Sequence, residues 1–162
     1  MSRQIIKFGT WNNNPIEWTV LKEDNFQRLV ISRYWIERRR FTVSSSYNSW
    51  ITSELRNYLN KDFYEKAFTV EETRKIVNTK LSDVGNAKDN IFVLSEQEMK
   101  ALLTDDKDYE SSYYNNKCSN CTWTRTPNGN GVSVGFTSRC AFCSRWSDNS
   151  SYCVRPAMYL KK

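Results

Sequence analysis

No histidine occurs among the 162 residues. Its absence removes the commonest general base and rules out every Ser-His and Cys-His arrangement. A Ser-Lys dyad or a carboxylate pair stays open, but no spacing in the chain points to either. Long apolar runs are missing as well. The opening MSRQIIKFGTW enters strand-like sequence without the apolar stretch of a signal peptide, and no segment approaches a membrane span in length. These absences lead us to expect a chain that is cytoplasmic as synthesised, or a module of something larger, with no membrane insertion. A later association with a virion or a cell surface stays open. In that setting thiols, free or metal-bound, are expected rather than disulfides. The third scarcity is local: no Leu or Ile occurs from Ser111 until Leu160. A stretch so poor in aliphatics is not expected to supply the main core.

What is present suits one globular domain. Charged residues make up 26% and aromatics 14%, with six Trp, nine Tyr and eight Phe. The length allows one substantial core and leaves little room for two. The net charge of +6 would favour anionic partners, but its one cluster is Arg38-Arg39-Arg40. A run of three is ordinarily a solvated strand end, which argues against nucleic acid as the partner.

Residues 4–36 read as β structure. Ile5, Ile6 and Phe8 precede an Asn12-Asn13-Asn14-Pro15 turn, Ile16 to Leu21 alternates, and Leu29-Val30-Ile31 gives a buried strand. Trp50, Ile51, Leu55, Tyr58, Leu59 and Phe63 recur at helical spacing, with Asn48 or Ser49 as cap. Thr69-Val70-Glu71-Glu72 is a capping box predicting a second helix that carries Ile76 and Val77 inward. Asn90 to Leu94 reads as a short buried strand. It runs into a second capping box, Ser95 to Glu98, opening a helix through Met99, Leu102 and Leu103. The fold class expected is α+β, a mixed or antiparallel sheet with flanking helices and a long irregular C-terminal loop region.

Three blocks carry a resemblance. The first runs from Ser49-Trp50 through Leu55-Arg56-Asn57-Tyr58-Leu59-Asn60 to Phe63-Tyr64 and Ala67-Phe68. The second is Ile91-Phe92-Val93-Leu94-Ser95 with Glu98. The third pairs Trp123-Thr124-Arg125-Thr126-Pro127 with Val154-Arg155-Pro156-Ala157-Met158-Tyr159-Leu160. In this order they resemble the bacterial domain of unknown function 6273, with Tyr58 where that family usually has Trp and Thr124 where it usually has Leu. The resemblance implies a C-type-lectin-like fold in which N- and C-terminal strands pair and a late irregular segment presents the ligand surface. The domain organisation expected is a single unit over 1–162, with 1–104 as scaffold and 105–162 as a loop-rich, ligand-presenting half ending in a final strand. Arg125 and Arg155 are expected to be buried, donating to loop carbonyls. The formylglycine-generating enzymes share the fold by analogy, but they are much longer and none of their catalytic residues can be placed here. We therefore expect no enzyme.

Cys118-x-x-Cys121 and Cys140-x-x-Cys143 stand eighteen residues apart, a spacing that suits a four-thiolate zinc site. One structural zinc on Cys118, Cys121, Cys140 and Cys143 is one reading; free thiols on neighbouring loops is the other. Four thiolates leave no open position, so a catalytic zinc is not expected. Between Arg139 and Tyr152 the chain is rich in Arg, Trp, Tyr, Phe, Ser and Asn, the composition of binding loops. Arg139, Phe142, Arg145, Trp146, Asp148, Asn149 and Tyr152 are the candidate contacts to a protein or glycan. Some C-type-lectin-like proteins are diversified by retroelements that mutate adenine-bearing codons, and the residue types here are among those such mutagenesis yields. The resemblance thus implies a variable, receptor-binding protein. Trp146 to Asn149 faintly resembles the calcium motif of sugar-binding lectins, but acidic partners are few and calcium is not expected. The alternative function is a zinc-ribbon protein associated with nucleic acid.

Overall fold

The computed structural model describes residues 3–44, 48–104, 121–136, 142–150 and 152–162. Cys118, Arg139 and Cys140 lie outside these residues.

Strands β1 (Ile5–Trp11), β2 (Asn14–Glu23) and β3 (Gln27–Ser32) form a meander. The β1–β2 turn follows from its asparagines. Asn12 and Asn13 take φ values of 50° and 63°, which asparagine tolerates better than most residues and which match a tight hairpin turn to the twist of its strands. A two-residue strand, β4 (Glu37–Arg38), comes next.

The predicted helix begins later than its apolar periodicity suggested. Helix α1 (Glu54–Tyr58) is capped by Ser53, whose hydroxyl accepts from the Arg56 N–H at 3.1 Å. It continues as a π-helical turn over Leu59–Phe63 into α2 (Tyr64–Ala67). Asn48 and Ser49 are not the cap; Trp50 and Ile51 precede the helix in a turn.

The second helix is shorter than expected. The Thr69–Glu72 capping box forms, but α3 spans only Val70–Thr73. Ile76 and Val77 are strand β5 (Ile76–Val77), not helix. Their β-branched side chains favour a strand, and an edge opposite Tyr159 and Leu160 was there to be joined. A hairpin absent from the sequence reading follows, β6 (Thr79–Leu81) with β7 (Ala87–Asp89). Asn90 to Leu94 is no strand: Phe92 makes one isolated bridge with Ala157, although residues Ile91 to Leu94 are fully buried. Helix α4 (Glu96–Leu102) opens on its capping box as expected, with Glu98 N–H donating to the Ser95 hydroxyl and Ser95 N–H to Glu98.

The remaining elements are β8 (Cys121–Asn128), β9 (Gly131–Phe136), β10 (Phe142–Arg145), β11 (Cys153–Val154) and β12 (Ala157–Lys161). They make two five-stranded sheets, ordered β1-β2-β3-β12-β5 and β10-β9-β8-β11-β4. The last strand thus returns beside β3 rather than beside the first strand. Pairing is antiparallel except between β11 and β8. The architecture is α+β, rich in sheet with few short helices.

The second half differs from its expected loop character. Where described it is largely strand, and Trp123, Val132, Val134, Val154 and Met158 join Trp18, Leu55 and Phe92 in one core cluster. Valine and tryptophan, both strand formers, do the work that missing leucines could not.

Candidate functional site

The motif residues hold the scaffold. Asp89, 1% exposed, accepts from the Trp50 indole N–H and from Arg56 Nε, each at 2.7 Å. Asn60 accepts from the Asn90 and Ile91 N–H groups at 2.8 and 3.1 Å and donates to the Ile91 carbonyl at 2.7 Å. Arg155, buried as expected, donates to the Ser32 carbonyl at 2.9 and 3.1 Å. Arg125 is buried too and donates to the Val93 carbonyl at 2.8 Å. Its further partners, Asp83 and Glu98, were not foreseen from the sequence.

The candidate contact residues fall into two groups. Phe142 and Tyr152 are half-buried and pack on the core. Tyr152 meets Trp123 edge-on at 5.0 Å, and Lys100 lies 4.9 Å from the centre of the Phe142 ring. Arg145 and Trp146 instead border a shallow hollow of about 270 Å³, shared with Asn130, Gly131 and Ser144. Trp146 is 60% exposed. Asp148 is exposed and Asn149 half-buried in the turn beyond it, where the Asn149 N–H donates to the Trp146 carbonyl at 3.2 Å.

This turn is fastened by a residue the sequence did not flag. Ser147 is fully buried; its hydroxyl donates to the Ser44 carbonyl at 2.9 Å, 103 residues away. Its carbonyl accepts from the N–H groups of Phe41 and Thr42 at 2.8 and 2.9 Å. Val43, which sits in that clamped segment, is 65% exposed. Nothing local marks Ser147 as an anchor, because its partners come from a segment distant in sequence. On the other side of the hollow, the Ser144 hydroxyl donates to the Asn128 carbonyl at 2.6 Å. Gly131 is required there: a Cβ would lie 2.2 Å from the Arg145 carbonyl oxygen.

Helix α4 braces this sheet from behind. Glu96 takes hydrogen bonds from Lys100 and from the Ser133 hydroxyl, and these hold its carboxyl below the usual range against the opposing effect of burial. The arrangement is a rigid edge with one large exposed ring.

Of the four candidate zinc ligands, Cys121 and Cys143 are among the described residues. Cys121 on β8 stands opposite Phe136 of β9, and Cys143 on β10 opposite Val134. β9 therefore runs between them, and the other two of the four candidate cysteines lie outside the described residues. Among the described residues no group of three or more His, Cys, Asp or Glu is placed to hold a metal. Cys153 is disulfide-bonded, unlike the thiol expected for it. No helix among the described residues is long and apolar enough to cross a membrane.

Two five-stranded sheets, short capped helices and a buried arginine paired with carboxylates define an α+β domain whose signature residues serve packing. The chain belongs to the family described as Domain of unknown function (DUF6273), whose model matches residues 25–162. No curated protein and no solved structure matches it.

Proposed function

We propose that the protein is a non-enzymatic binding module of C-type-lectin-like fold. The edge formed by Arg145, Trp146, Asp148 and Asn149 contacts a protein or glycan ligand, and Phe142 and Tyr152 support it from the core side. One observation carries this reading: an indole is 60% exposed on a turn pinned at Ser147. Exposing an aromatic of that size costs solvation free energy, and rigid aromatic anchors beside Arg are what binding surfaces use. The preformed turn also lowers the ordering cost on association. Retroelement-driven variation and display on a virion or cell surface belong to the same proposal.

The test compares the protein with Trp146→Ala and Asp148→Ala on arrays of glycans and of bacterial surface proteins. A ligand retained by the parent and lost by Trp146→Ala, with an unchanged melting temperature, supports the reading. Ligands bound equally by parent and variants would overturn it. Metal analysis of the purified chain decides the zinc expectation separately. Sibling loci whose differences concentrate at residues 138–153 would support variation, and uniformity there would count against it.

A further inference from the structure

A second concavity lies away from the Trp146 edge. It is a cleft of about 570 Å³ between the β1–β2 hairpin and the segment that follows β3. That volume falls in the range of small-ligand sites. The hairpin wall carries Lys7, Trp11, Asn12, Asn14 and Glu17; the facing wall carries Tyr34, Trp35 and Ile36. The hairpin wall precedes residue 25, where the match to the family begins, so the family's signature residues do not explain this cleft.

We propose that this cleft binds a neutral saccharide. The first argument is the pairing of ring faces with amides. A pyranose presents a face of C–H groups that lies flat on an indole or phenol, and a rim of hydroxyls that both donate and accept. Trp11, Tyr34 and Trp35 supply the faces. Asn12 and Asn14 supply side-chain amides, which meet a hydroxyl as donor or as acceptor. An apolar ligand would desolvate those amides, Lys7 and Glu17 without replacing their hydrogen bonds.

Charge narrows the class. Lys7 and Glu17 are cross-strand partners in the β1–β2 ladder, and their charges offset. Glu17 is also ion-paired to Arg33 at 2.7 Å. Glu17 stands in the wall against a phosphate or nucleotide, and the nearby Arg33 and Arg38 guanidiniums are already engaged by Glu17 and by the Tyr34 and Trp35 rings. A neutral polyol suffers no such repulsion and can donate to Glu17 while accepting from Lys7.

The walls are held in place before any ligand arrives. The left-handed Asn12-Asn13 pair sets the turn, and the Asn14 amide donates to the Asn12 carbonyl at 2.9 Å. Trp11 packs against Phe63, ring centres 5.0 Å apart. Across the cleft, Arg33 lies over the Tyr34 ring at 5.2 Å and Arg38 over the Trp35 ring at 5.9 Å. The Ile36 N–H donates to the Val154 carbonyl at 2.9 Å, tying this wall to the second sheet. Preset rings and a fixed turn reduce the entropy lost on binding, which matters for ligands that exchange hydroxyl–water contacts for protein contacts at little net gain.

The experiment titrates the full chain with cellotriose, mannotriose and triacetylchitotriose to millimolar concentration, reading tryptophan emission and amide chemical shifts. We expect one of the three to saturate, with shifts confined to residues 7–17 and 33–36. Tyr34→Ala should weaken that binding by about tenfold or more. Lys7→Ala, an exposed substitution that leaves the turn intact, should weaken it less and serves as the second variant if Tyr34→Ala fails to fold. Trp146→Ala should leave it unchanged, which separates this site from the edge proposed above. Saturation by none of the sugars, binding that survives both cleft substitutions, or binding lost in Trp146→Ala alone would each overturn the proposal.

Discussion

Arg125 and Glu98 form a two-armed ion pair, Nη1 donating to Oε2 at 2.7 Å and Nη2 to Oε1 at 2.9 Å. The guanidinium is 2% exposed, and its Nε turns to Asp83 at 3.0 Å. Glu98 also caps α4 through the Ser95 N–H. One carboxylate therefore joins the start of a helix to the middle of β8. Removing Arg125 would leave Glu98 and Asp83 without their shared partner, but their side chains are 32% and 42% exposed and water can replace part of it, so Arg125→Ala should cost about 2–3 kcal/mol. Glu98→Gln keeps the shape but swaps a charged acceptor for a neutral one, and about 1–2 kcal/mol is the expected loss. Urea denaturation of both variants checks the order. A loss near zero in Glu98→Gln would mean that the charge contributes little.

Asp89 makes a parallel case on the other side of the core. It is a buried carboxylate whose ion-pair partner is Arg56 and whose other oxygen takes the Trp50 indole proton. Asp89→Ala leaves the buried Trp50 indole N–H unmatched and takes the carboxylate from the partly exposed Arg56, and we expect a loss of about 2–3 kcal/mol. Arg56→Ala should cost less, because Arg56 reaches solvent and the indole bond survives. The melting temperatures of the two variants should therefore differ clearly, with Asp89→Ala the lower.

A pH dependence follows from Glu72. Burial works against its charge, but the N–H groups of Thr69 and Gly9, at 2.8 and 2.9 Å, outweigh it and hold the carboxyl below its ordinary 4.5. A carboxyl depressed in the folded state stabilises fully above the unfolded value. That contribution is lost as pH falls through the lower folded value. The parent should thus lose more stability than Glu72→Gln between roughly pH 5 and pH 3. Parallel denaturation curves for the two proteins across that range would refute the assignment.

The sequence made the N-terminal meander and both capping boxes legible because each rests on neighbouring residues: alternation, an asparagine turn, a hydroxyl three positions before a glutamate. It misjudged Ile76-Val77, whose strand exists only because β12 offers an edge more than eighty residues later. It read aliphatic scarcity after Ser111 as leaving the main core to the first hundred residues, and it did not foresee that Trp123, Val132 and Val134 join that core without Leu or Ile. At the candidate edge, Arg145 and Trp146, both singled out by composition, border one hollow. The inward turn of Phe142 and Tyr152 was hidden, since side-chain direction depends on strand register. Ser147 was hidden too, because its value lies wholly in contacts to residues 41–44.

Gly131 links fold and edge in one substitution. Its hydrogen faces the Arg145 carbonyl oxygen, and the Cβ of an alanine would come within 2.2 Å of that backbone atom. Backbone cannot rotate away as a side chain could, so β10 must move off β9 at the Val132–Arg145 pair. We expect Gly131→Ala to cost about 1–3 kcal/mol, the usual range for overpacking. The functional consequence should exceed the stability loss. Shifting β10 displaces Arg145 and Trp146 relative to Asn130, and the hollow they share loses its shape. Ligand binding at the Trp146 edge should fall in Gly131→Ala at temperatures where the chain is still folded by circular dichroism. Binding at the β1–β2 cleft, which shares no residue with that hollow, should persist. Loss of both activities together would show that the substitution unfolds the domain instead of reshaping one edge.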